Sequence, residues 1–192
     1  FTDVAPAMRR GSLSLVAFIG IAACGSPAKK DPKAPALEPA VINMSAPEPS
    51  GAGAEAAMRS ALADAGLPPE AIAYLNLHGT GTPLNDAMEC QAVARVFGSA
   101  LPVSSTKPLV GHTLGAAGAL EAAFCWLMLA RSEGGVLELP PHCWDGEADP
   151  EIPAVHLVAK GESARPGGPL RVMTNSFGFG GNNCTLLLER GA

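Results

Sequence analysis

What this chain has little of narrows its possibilities first. Charged residues make up only 16% of its 192 residues against 47% hydrophobic ones, a balance that argues for a folded chain with a real core and not for a solvated, disordered one. Positive charge is not in excess: the formal net charge of −5 leaves no electrostatic footprint for nucleic acid. Cysteine pairs are missing. The five cysteines (24, 90, 125, 143 and 184) are scattered and odd in number, with no Cys-x-x-Cys spacing. That excludes a disulfide framework and a structural zinc site, and it suits a reduced, cytoplasmic protein. The apolar run from Leu13 to Ala23 is too short to span a bilayer. The chain also opens on Phe1 and not on methionine, so it is expected to be part of something longer.

What is present is organised around residues 104 to 118, Ser-Ser-Thr-Lys-Pro-Leu-Val-Gly-His-Thr-Leu-Gly-Ala-Ala-Gly. Here an extended Ser/Thr segment and Lys107 lead through a turn at Pro108 to Gly111 into His112, just before a small-residue helix. A histidine at a helix N-terminus stays neutral, because the positive end of the dipole disfavours the imidazolium. Held there, it can donate a hydrogen bond to a carbonyl that is becoming an oxyanion. A buried histidine before a packed helix fits the same residues.

Two further stretches favour the chemical reading. Residues 76 to 83, Asn-Leu-His-Gly-Thr-Gly-Thr-Pro, follow an apolar run, Ile72 to Leu77, that reads as a buried strand. His78 thus falls where a strand gives way to a glycine-threonine loop, a usual address for reactive groups in α/β folds. Residues 174 to 183, Thr-Asn-Ser-Phe-Gly-Phe-Gly-Gly-Asn-Asn, follow a second strand-like run, Leu170 to Met173. Their glycines make a loop able to present backbone N–H groups.

These segments resemble the β-ketoacyl-[acyl carrier protein] synthases, condensing enzymes of the thiolase fold. The resemblance is carried by His-Gly-Thr-Gly-Thr-Pro at 78 to 83 with Asn85, Asp86 and Glu89, by Ser105, Thr106, Lys107 and Pro108 with Gly111 and His112, and by Asn-Ser-Phe-Gly-Phe-Gly-Gly at 175 to 181. All occur in that family's order, and they belong to its C-terminal half. The resemblance implies decarboxylative condensation of an acyl thioester with malonyl-acyl carrier protein, in fatty acid or polyketide synthesis. It implies that His78 and His112 polarise the malonyl thioester carbonyl. A buried lysine needs a carboxylate, so Lys107 and Glu89 are expected to pair behind them and to fix the orientation of His112. Thr80 and Thr82 resemble residues that bind a phosphopantetheine arm, which enters as substrate on the carrier protein. No bound cofactor and no metal are implied. Phe179, between Gly178 and Gly180, matches the family's gating phenylalanine, whose N–H also serves the acyl oxyanion hole. The expected partners are acyl carrier protein and a second synthase subunit, in a homodimer or heterodimer.

The rest of the chain is expected to form one α/β layered domain over 1–192, the C-terminal half of a thiolase-like fold with a mixed sheet and a buried central helix. Arg9 and Arg10, the apolar run and Cys24 give residues 8–24 the look of a lipoprotein signal. A buried strand, Leu13 to Ile19, closed by Gly20, is favoured because it continues the family pattern. Residues 27–42, rich in proline and lysine, read as an exposed insertion. Helices are expected at Ala54 to Ala65, Asn85 to Phe97 and Leu114 to Ala130, the last nearly all apolar and so buried on most sides. Strands are expected at Leu101 to Ser104, Val136 to Leu139, Val155 to Val158, 170–175 and Cys184 to Glu189, with an irregular loop from Pro140 to Pro153 around Trp144. The segment Leu-Pro-Pro-His-Cys-Trp-Asp-Gly at 139 to 146 departs from the common fatty-acid type and looks more like synthases of bacterial polyene pigments. Cys24 lacks the family's nucleophile pattern, so the nucleophile is expected in an N-terminal half outside this chain. The alternative is a non-catalytic partner of the chain-length-factor kind, against which the two histidines, Lys107 and Phe179 weigh.

Overall fold

The computed structural model describes residues 15–23, 48–178 and 182–190. The expected insertion at 27–42, Cys24, Phe179 and Gly180 lie outside the described residues, as do residues 8–14. Of the 8–24 segment, Leu15–Ala23 forms a strand, β1, which runs past Gly20.

A six-stranded mixed sheet forms the centre. Its other strands are β2 (Tyr74–Asn76), β3 (Pro102–Ser104), β5 (His156–Leu157), β7 (Leu170–Phe177) and β8 (Asn182–Arg190), in the order β1-β8-β7-β2-β3-β5. β7, β2, β3 and β5 run parallel, whereas β7–β8 and β8–β1 are antiparallel. A separate two-stranded ribbon pairs β4 (Leu137–Glu138) with β6 (Ser163–Ala164). The β6 strand carries no apolar alternation that would have announced it.

Strand side chains alternate between faces, and the core splits accordingly. Leu75, Met173 and Leu187 join Met58, Leu62, Met88, Val93 and Val96 on one face of the sheet. Their neighbours Tyr74, Val172 and Leu188 join Cys125, Met128 and Leu129 on the other. The first face is covered by α1 (Ala52–Ala65) and α2 (Pro83–Phe97), the second by α4 (Ala117–Arg131). Gly66 closes α1 in the left-handed conformation at φ 64°, which only glycine adopts without strain. The turn expected at Pro108 to Gly111 is one short helix, α3 (Lys107–Val110), stopped by Gly111.

The α4 helix departs from expectation. Leu114–Arg131 is long and apolar enough to cross a membrane by composition. Among its residues Ala117, Glu121, Cys125, Met128 and Leu129 are buried. These positions form one stripe at helical spacing, facing the sheet. Trp126 and Leu127 on the other side stay 39% and 37% exposed. Among the described residues, burial on most sides is therefore not what the fold provides, because one layer covers this helix. Its buried acid, held in an ion pair, and its packing on β7 and β8 are those of a core helix.

Candidate active site

Because β2, β3 and β7 are parallel neighbours, their carboxyl ends open at one edge of the sheet. His78 follows β2, Lys107 follows β3, and Gly178 follows β7. The first two loops are held together from the start, since the Leu77 N–H donates to the Ser104 carbonyl at 2.8 Å.

Glu89 shapes the His78 loop. It stands on α2, fully buried, with its carboxylate turned to the loop: Oε1 accepts the His78 N–H and Oε2 the Gly79 N–H, both at 2.8 Å. Asn175 Nδ2 adds a third donor to Oε1 at 3.0 Å, and Asn175 is itself held by Thr185. Burial raises the Glu89 pKa, opposed by these hydrogen bonds and by the charge of Lys107. The expected Glu89–Lys107 pair does not form. Three N–H donors already satisfy Glu89, and Lys107 turns to a different acid.

That acid is Glu121 on α4. Lys107 Nζ lies 2.5 Å from Glu121 Oε1, with both side chains almost fully buried. The same ammonium donates to the His78 carbonyl and stands 3.4 Å from His78 Nδ1. Two buried charges are tolerated only when paired and hydrogen-bonded, and the third direction of the ammonium falls on His78, not on His112 as expected. Burial raises the Glu121 pKa, against the hydrogen bond and charge of Lys107.

The two histidines meet edge to face, ring centroids 5.6 Å apart, and Phe177 packs 5.8 Å from His78. Burial lowers the His78 pKa to about 3, helped by the Lys107 charge and then by His112. For His112 the direction is also down, first from burial and then from Lys107. Neutrality of His112 was expected from a helix terminus. Instead α4 begins at Ala117, with a 3-10 turn, Leu114–Ala116, between them. The tautomers follow from the partners. An ammonium only donates, so His78 Nδ1 is an acceptor and its proton sits on Nε2. His112 Nδ1 accepts the Leu114 N–H at 3.3 Å, so its proton is on Nε2 as well. Each ring keeps one N–H donor uncommitted to these partners.

Thr80 and Thr82 hydrogen-bond each other through their hydroxyls at 2.9 Å at the mouth of the His78 loop. Gly178, just past β7, donates its N–H to the carbonyl of Asn182, the first residue of β8, at 2.8 Å. The expected roles of Phe179 and Gly180 fall outside the described residues. Sequence reasoning missed Glu121 and Asn175. Glu121 had a signal: it is the lone acid in an apolar helix, and such a residue needs a buried cation. Asn175 was quoted in a motif but not assigned a partner, because its contact to Glu89 crosses 86 positions.

Residues 38–134 match the β-ketoacyl synthase C-terminal domain family. The chain is 42% identical over 143 residues to 3-oxoacyl-[acyl-carrier-protein] synthase 1 of Haemophilus influenzae, covering 74% of this chain and 33% of that protein. It is 40% identical over 154 residues to 3-oxoacyl-[acyl-carrier-protein] synthase 2 of Coxiella burnetii, covering 77% of this chain and 34% of that one. The chain therefore spans about a third of the length of the curated relatives it matches. Among solved structures, a ketosynthase (ApeO) in complex with its chain length factor (ApeC) from Xenorhabdus doucetiae is 50% identical at a TM-score of 0.69, covering 77% of this chain and 36% of that one. A β-ketoacyl synthase from Burkholderia phymatum is 35% identical at a TM-score of 0.69, covering 91% and 37%. With its mixed sheet, its strand-end loops and these matches, the chain belongs to the β-ketoacyl synthases and carries their C-terminal, thiolase-like half.

Proposed function

We propose that this chain supplies the decarboxylating half of a condensing site, acting on malonyl-acyl carrier protein and an acyl thioester. The observation that carries the reading is the pair of neutral histidines, 5.6 Å apart, each with its proton on Nε2 and with Lys107 behind His78. When the malonyl C–C bond breaks and carbon dioxide leaves, the electron pair delocalises onto the thioester oxygen as an enolate. Two N–H donors stabilise that charge as it develops. Their neutrality matters. An imidazolium is acidic enough to protonate the carbanion, whereas a neutral imidazole N–H stabilises it without quenching it. The enolate carbon then attacks the acyl thioester carbonyl and the thiolate that held the acyl group leaves; this reading assigns that thiol, the nucleophile of the preceding acyl transfer, to residues outside the chain.

Thr80 and Thr82, at the mouth of the His78 loop, are the groups proposed to meet the phosphopantetheine arm. The partners proposed are acyl carrier protein and a related synthase subunit. Support for the second comes from two solved relatives, one of them the Xenorhabdus complex, in which a ketosynthase is paired with a chain length factor. Retention of both histidines and of Lys107 favours the ketosynthase side of such a pair.

The test is to follow carbon dioxide release and condensation separately in the complete protein. His78→Gln and His112→Gln are each expected to slow malonyl decarboxylation by at least roughly a hundredfold, the scale of one oxyanion donor. Parental decarboxylation in both variants would remove the histidines from the reaction.

A further inference from the structure

The segment at 139 to 146 contains a third histidine that the proposed chemistry does not use. His142 is fixed from two directions. Its backbone N–H donates to the Val158 carbonyl at 2.9 Å, and Val158 in turn donates to Val103, so the residue rides on the β3–β5 edge. Pro140 and Pro141 before it have no N–H to satisfy and hold the approach extended. The ring is then aimed at the end of β3, where Nδ1 accepts the Ser105 N–H at 3.1 Å.

Ser105 is one of the residues through which the two strand-end loops touch. It is buried, and its N–H lies just past the last strand pairing, so without His142 that donor would be orphaned. Its hydroxyl donates to the Gly79 carbonyl at 2.8 Å and accepts the Lys107 N–H at 3.3 Å. The approach is close. A Cβ built on Gly79 would stand 2.5 Å from the Ser105 Cβ, and Gly79 has φ 37°. A continuous chain of hydrogen bonds thus runs from the His142 ring through Ser105 to the loop that carries His78 and to the turn that carries Lys107.

We propose that His142 is a positioning residue: by anchoring Ser105 it holds the His78 loop against the Lys107 turn, and through them sets the separation of the two histidines. It does not touch the substrate. The proposal rests on the condensing reading for its effect on rate, but not for its effect on the loops.

Two substitutions separate the ring's acceptor from its bulk. His142→Leu keeps volume and loses the acceptor. His142→Asn places a carbonyl oxygen near the position of Nδ1 and keeps it. The experiment uses the complete protein, with hydrogen exchange at the Ser105, Lys107 and Gly79 amides measured beside malonyl decarboxylation. The leucine variant is expected to exchange faster at Ser105 and to lose roughly tenfold in rate, the equivalent of one hydrogen bond, with little change in KM. The asparagine variant is expected to recover both. If leucine leaves exchange and rate at parental values, or if asparagine is as impaired as leucine at equal Tm, the proposal is overturned. If the parent decarboxylates no malonyl thioester while the exchange pattern is as expected, the condensing reading fails and the tether between the loops stands.

Discussion

At the scale of single residues the site is governed by who partners Lys107. Its ammonium divides between Glu121 and His78. Lys107→Ala would strand a buried carboxylate that is already pushed toward protonation by burial, and losing one member of such a pair costs about 3–5 kcal/mol. A double variant, Lys107→Met with Glu121→Leu, removes both charges at similar volume and is expected to regain most of that stability. In the complete protein it should not regain the proposed condensation, because the donor behind His78 is gone. Denaturation midpoints and turnover measured on the three proteins decide it: a double variant as active as the parent would leave the pair purely structural. His78 gives a second expectation. Its pKa is about 3 in the fold against an ordinary 6.5, so between those values the unfolded chain binds a proton that the folded one refuses. Stability is then full above about pH 6.5 and falls as pH falls toward 3, by about 2 kcal/mol at pH 5. His78→Gln should flatten that slope. An acid limb of stability unchanged in the variant would mean that His78 titrates normally.

At the scale of elements, periodicity and punctuation told most of the story, and the rest was non-local. The helices ending at Ala65 and Phe97 were legible from apolar spacing, the first also from Gly66, which stops it. The strands before His78 and after residue 170 were legible as apolar runs, and β7 continues two residues beyond the expected 175 to Phe177. The ribbon strand Ser163–Ala164 was not, because two residues paired by backbone alone leave no pattern. The apolar sequence of α4 told how hydrophobic the helix is, but not how much of it a neighbour covers. The candidate site divides the same way. His78, Lys107 and His112 sit in short motifs whose strand-end placement follows from local sequence. The partner of Lys107 depends on which helix crosses the second face of the sheet, and Glu121 is 14 positions away on an element that local rules place but do not orient. Gly79 shows how tight the result is: with Ser105 packed where its Cβ would be, no other residue fits that turn.

At the scale of the whole molecule the proposed reaction requires a thiol to hold the acyl group. Covalent capture needs a thiol that ionises near neutral pH, in an electropositive, partly exposed setting. The buried and half-buried thiols here run the other way. Cys90, inside α2 beside Glu89, is pushed up to about 12 by burial and by the charges of Glu89 and Asp86. Cys125, against the sheet on α4, is pushed up to about 12 by burial and by Glu121. Burial also raises Cys184 in β8. Cys143 is exposed and belongs to the irregular loop after β4, not itself to a strand-to-helix turn. The chain also spans only about a third of its relatives' length, and Leu114, Trp126 and Leu127 stand exposed at and beyond the histidine loop. An apolar surface of this kind is a place for further protein to pack. The expected outcome is that residues 1–192, incubated with an acyl thioester, gain no acyl mass on any cysteine, while malonyl decarboxylation, which needs no nucleophile, proceeds slowly. Intact-mass and peptide mass spectrometry read the first, and carbon dioxide release reads the second. A stoichiometric adduct on one cysteine, Cys24 included, would place the nucleophile within this chain and make it a self-sufficient condensing unit.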